Sequence, residues 1–146
     1  MSYPYYGTAM NLIGIPPECQ MIEVAGSTAI GANQVTEVVP PSQNVRGLVI
    51  LNFYTQVIQT GSPGNLAQSL IMAAATAPTN FASKTNCFPI YRTFQSEKQS
   101  PVALGGFAPM NVAAIQLPPA WGIWQVLTVT GAILDRNNMR FGVVFF

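Results

Sequence analysis

Five acidic side chains, Glu18, Glu23, Glu37, Glu97 and Asp135, are the first residues from which chemistry could be built. Two carboxylates sharing a site can divide acid and base roles. Only Glu18 and Glu23 are close in sequence, and they straddle a breaker region, so a shared carboxylate site is not expected. The chain has no histidine. That removes the commonest general base, the commonest metal ligand and every Ser-His or Cys-His nucleophile. Cys19 and Cys87 are too few and too far apart for a disulfide framework or a zinc motif. They read as two small buried or half-buried thiols, with a single disulfide as the alternative. Gly26, Gly31 and the Gly105-Gly106 pair lack the G-x-x-x-x-G-K pattern and a strand-to-helix context, so they read as turns. With no EF-hand pattern either, no metal, no cofactor and no enzymatic activity are expected.

What remains is recognition chemistry, and it is aromatic. Trp121 and Trp124 flank Gly122 after a Pro-Pro-Ala turn. One ring capping a core with the other on its rim is the structural reading. An anchor in a subunit interface and a platform for a sugar or nucleobase are the functional ones. Tyr3, Tyr5 and Tyr6 admit the same readings, and here an interface is favoured, because an aromatic arm with nothing to lie on would be sticky. Tyr3, Tyr5, Tyr6, Trp121 and Trp124 are therefore the candidate interface residues.

The elements that must position them read as strands between breakers. Residues 1–19, with the Pro16-Pro17 pair, form an extended arm that lies on this subunit or on a neighbour. A single domain covers residues 20–146. Gln20–Ala25 alternates as a strand, Gly26–Gly31 turns it, and Gln34–Val39 is a second strand stopped at Pro40-Pro41, where two amide donors are missing. Val45–Gln59 is long and β-favouring. One face would carry Val45, Val49, Leu51, Phe53, Thr55 and Val57, the other Leu48, Ile50, Tyr54 and Ile58. Both are apolar, so this strand should be covered on both sides, and its length calls for a bend or bulge near Asn52 or Thr55. Asn65–Ala75 admits a helix capped by Asn65 or a strand through Leu70-Ile71-Met72. Cys87–Phe94, Val112–Leu117 and Ile123–Leu134 are further strands, with a turn at Pro118–Gly122. Asp135-Arg136-Asn137-Asn138 should turn Ile123–Leu134 into a hairpin with Met139–Phe146, whose apolar end belongs in a sheet. This pattern predicts an all-β fold, an antiparallel sandwich or jelly roll, with a closed barrel as runner-up.

Charge sets the partner class. Charged residues make up only 8% of the 146, against roughly 25% in typical soluble domains. A surface so poor in charge invites association, so other subunits are expected to cover much of it. Six basic and five acidic residues give a net charge of +1. The basic ones are never adjacent, so no nucleic-acid patch is evident. The uncharged stretches are broken by Gly, Pro, Asn and Gln before a membrane helix could form. The N-terminal residues lack the basic and apolar regions of a secretory signal, so a reducing cytoplasm is the default setting.

Val45–Ile58 followed by Gly61-Ser62-Pro63-Gly64, then Ile115-Gln116-Leu117-Pro118-Pro119-Ala120-Trp121-Gly122-Ile123 leading into a long final hairpin, resembles small β-sandwich proteins of phage virions. Head-decoration, connector and tail-associated subunits are the examples. The resemblance covers roughly residues 20–146, is one of layout, and transfers no functional residue. It implies a virion subunit assembled in the host cytoplasm, contacting other virion proteins and itself as a homo-oligomer, with a trimer favoured by analogy. A lectin-like or adhesin-like binding module is the competing expectation, and a small membrane-inserting β protein the third.

Overall fold

The computed structural model describes residues 18–59, 66–80, 87–95, 102–104 and 115–146. Nine strands occur among them: β1 (Gln20–Ala25), β2 (Gly31–Val39), β3 (Leu48–Gln59), β4 (Leu66–Ala74), β5 (Cys87–Gln95), β6 (Val102–Leu104), β7 (Ile115–Leu117), β8 (Gly122–Thr130) and β9 (Arg136–Phe145). A short 3-10 turn at Pro41–Gln43 is the one helical piece among the described residues. One sheet runs β1-β9-β3, with β7 and β6 sharing the far edge of β3 at its two ends. The other runs β2-β8-β4-β5. All pairings are antiparallel.

The pairings nest. β1 pairs with β9, β2 with β8, β3 with β6 and β7, and β4 with β5, so the chain doubles back on itself as one long ribbon. That ribbon then curls until β9 meets β3 and β8 meets β4. This is the jelly-roll form of the sandwich, which needs sequence-distant partners at nearly every rung.

Side chains alternate because a strand repeats every two residues. Leu48, Ile50 and Phe53 of β3, Met139, Phe141 and Val143 of β9, and Ile71, Ala73 and Ile123 of the opposite sheet form the main core. The Phe53 ring stacks on Phe141 at 5.5 Å and meets Tyr91 edge-on at 5.4 Å, so it ties the two sheets together. A second apolar cluster, Val57, Ala67, Leu127, Val129 and Leu134, fills the other end. Between the two lies a polar belt. Gln125 donates from Nε2 to Ser69 Oγ and Asn137 Oδ1, and Asn137 returns a bond from Nδ2 to Gln125 Oε1, all at 2.9 Å. Asn137 also donates to the Ser27 carbonyl at 2.8 Å.

Two open sequence readings are decided and two expectations are overturned. Asn65–Ala75 holds strand β4 and no helix: Ala67, Ser69, Ile71 and Ala73 face the core while Leu70 and Met72 are buried on the other side. Burial at period two outweighs the capping signal at Asn65, itself outside the described residues. The bulge expected near Asn52 or Thr55 lies between Ile50 and Asn52 and shifts the phase of the strand. Leu48 and Ile50 therefore share the core face with Phe53, Thr55 and Val57. The outer face mixes Val49 and Ile58 with Asn52, Tyr54 and Gln56, all half-buried, and is not the continuous apolar face that strict alternation implied.

The final hairpin is absent. β8 and β9 belong to different sheets, and the chain crosses between them at 131–135 with Gly131 at φ 89°. Arg136, Asn137 and Asn138 are already in β9, paired with Ile58, Val57 and Gln56. A two-sheet crossing lets Ile123 of β8 face the same core that Met139, Phe141 and Val143 of β9 enter from the opposite side, which a flat hairpin would prevent.

Candidate assembly surfaces

Asn44 organises one end of the sandwich. Its Nδ2 donates to the carbonyls of Pro118 and Trp121 at 2.7 and 3.0 Å, and its own carbonyl accepts from the Ala120 amide at 2.8 Å. These bonds lock the β2–β3 connection to the Pro-Pro-Ala turn and hold Ala120 at φ 63°. The last residue joins them, since the Phe146 amide donates to the Gly47 carbonyl at 3.0 Å. Val45, Ala120, Trp121 and Phe146 thus converge at this end. Val45 is 74% exposed and Phe146 52%.

The opposite end has a similar character. Ile30 in the β1–β2 turn and Ile133 in the β8–β9 crossing are 54% and 62% exposed. The Leu134 amide donates to the Thr28 carbonyl at 2.9 Å, so the two loops are bonded to each other. Of the seven large apolar side chains exposed among the described residues, Ile30, Val45, Ile133 and Phe146 lie at these two ends.

The two tryptophans separate. Trp121 is half-buried and packs against the end of the main core. Trp124 lies on the outer face of the second sheet, only 7% exposed, with Nε1 donating to the Ala74 carbonyl at 3.3 Å. Of the pair, Trp121 is the ring that belongs to the apolar end. Tyr3, Tyr5 and Tyr6 lie outside the described residues.

Cys19 and Cys87 are free. Cys87 packs beside Leu70, Met72 and Val126 on the second sheet, whereas Cys19 lies beside Gly142 on the first. Burial pushes both thiols up, at Cys19 with partial offset from a backbone hydrogen bond at Val143. Both are protonated at neutral pH and poor nucleophiles there.

Of the acids, Glu97 falls outside the described residues. Glu18, Glu37 and Asp135 are exposed, and Glu23 accepts from Arg140 across β1 and β9 at 3.0 Å. Among the described residues no three His, Cys, Asp or Glu side chains come together to hold a metal ion.

Sequence reading missed the outer face of β3 and β9. Asn52, Tyr54 and Gln56 stand beside Arg136, Asn138 and Arg140 around an open trough of about 600 Å³. The β3 bulge sets this face, and the strand length that calls for a bulge does not say at which residue the phase shifts.

The chain matches no protein-family model and no curated protein.

Proposed function

We propose that the chain is a non-catalytic structural subunit of a virus particle, with a phage capsid, decoration, neck or tail-associated protein as the specific form. The observation that carries this reading is the pair of apolar sandwich ends, each built on loops that are hydrogen-bonded to one another. Such ends suit repeated contacts with like subunits and with other virion proteins, because the loops are ordered before binding and little conformational entropy is lost. The jelly roll supports it by analogy, since capsid domains are among its users, although the fold is shared with lectins and enzymes. Charge points the same way: 8031 Å² of surface shared by eleven charged side chains is about 730 Å² for each. A homo-oligomer follows from this dilution, and a trimer is the favoured form by analogy with sandwich subunits at lattice three-folds. Assembly takes place in the host cytoplasm.

Mass spectrometry of purified particles from the source, with copy number per particle, tests the proposal. A multiple of the capsid lattice count means a shell or decoration protein, and six or twelve copies mean neck or tail. Failure to find the chain in particles overturns it.

A further inference from the structure

The outer face of the first sheet presents a row of polar side chains across β3 and β9. Asn138 lies on β9 between Arg136 and Arg140, and Gln56 and Tyr54 stand opposite Asn138 and Arg140 on β3. Asn52 closes the row opposite Gly142. Among the described residues the side-chain amides of Asn52 and Asn138 make no hydrogen bond, and Arg136 makes one long contact, from Nη1 to Gln56 Oε1 at 3.4 Å. Arg140 is paired with Glu23, whereas Arg136 has no carboxylate partner among the described residues. The trough therefore carries one uncompensated positive charge.

Its dimensions fit a small ligand. Arg136 and Arg140 are four residues apart on one strand face, about 13 Å, and three strands span about 10 Å. The volume of about 600 Å³ lies within the roughly 300–1,000 Å³ typical of ligand sites. Asn138 and Arg140 are paired on both sides, with β1 and with β3, so they project from firmly held backbone, while Asn52, Tyr54 and Gln56 are held by β9.

We propose that this trough binds an acidic oligosaccharide of two or three rings. The planar amides of Asn52, Gln56 and Asn138 offer paired donors and acceptors to vicinal hydroxyls. Arg136 receives a sugar carboxylate through its two-pronged guanidinium. Tyr54 gives a ring face an apolar edge. A protein partner fits less well, because Met21 alone of the large exposed apolar side chains among the described residues lines the trough, whereas Ile30, Val45, Ile133 and Phe146 are at the ends of the sandwich. The site stands whether or not the chain assembles into a particle.

Titration of the full-length protein with trigalacturonic acid, followed by calorimetry and by backbone amide NMR shifts, tests the proposal, with maltotriose as the neutral control. Saturable binding is expected, with shifts clustered at residues 52–56 and 136–140 and no comparable affinity for maltotriose. Arg136→Gln, at an exposed position, should weaken binding roughly tenfold to a hundredfold, the effect of losing a charged hydrogen bond. Asn138→Ala should weaken it less. Arg92→Gln on the opposite sheet, which removes the same charge, should leave affinity unchanged. No binding up to about 10 mM, beyond the millimolar affinity that corresponds to only about 4 kcal/mol, overturns the proposal. So do equal affinity for maltotriose, equal loss in Arg92→Gln, or shifts elsewhere on the molecule.

Discussion

Gln125 and Asn137 face each other from opposite sheets and exchange two hydrogen bonds in a setting that water does not reach, being 0% and 2% exposed. Neither amide can be removed alone without leaving the other partly unsatisfied. Gln125→Leu and Asn137→Leu should each destabilise the fold by about 1–3 kcal/mol, the cost of an orphaned buried polar group. The double variant should lose less than the sum by about 0.5–3 kcal/mol, because the second change removes the group the first one orphaned. Urea unfolding of the four proteins measures this coupling. Additive losses would mean that the two amides contribute independently.

Among the elements, β8 depends on a close approach at its first residue. A methyl group at Gly122 would run into the Val39 carbonyl oxygen and lie 2.8 Å from Pro41 Cδ. A backbone oxygen and a proline ring cannot swing aside as a flexible side chain would. Gly122→Ala should therefore cost about 2 kcal/mol or more by pushing β2 away from β8. A drop in thermal midpoint with the β-type circular dichroism retained below it is the expected result, and an unchanged midpoint would contradict the close packing. Gly131 serves the other end of β8: its φ of 89° turns the chain from one sheet into the other, a conformation that side chains with a Cβ rarely adopt.

For the whole molecule, the expected behaviour is association through the sandwich ends. Light scattering across a dilution series should show a mass above 15.7 kDa that falls on dilution. Val45→Ser with Phe146→Ser removes the two most exposed apolar groups at the Asn44 end and should move the midpoint of association to higher concentration. At about 25 cal/mol per Å² of apolar surface, losing a contact of about 100 Å² corresponds to about 2.5 kcal/mol, more than tenfold in affinity. A clean monomer for the native chain at high concentration would show that these ends are not assembly surfaces in solution.

Strand content was legible in the sequence because it is local. Breakers at Gly26, Pro40-Pro41 and Pro118-Pro119 and β-branched runs between them act within a few residues, and β1 (Gln20–Ala25) has the bounds they predict. The sparse charge and the absence of histidine are likewise complete in the sequence. Which strands become neighbours is not local. The sequence placed β8 and β9 in one hairpin, but core burial puts them in separate sheets, joined through Gly131 and the Gln125–Asn137 bonds. The trough has the same origin. One extra residue between Ile50 and Asn52 exchanges the two faces of β3, and only pairing with β9 decides where that residue goes. A strand's side chains alternate whatever its partners are, but the choice of the face turned to water is made by the sheet packed against it.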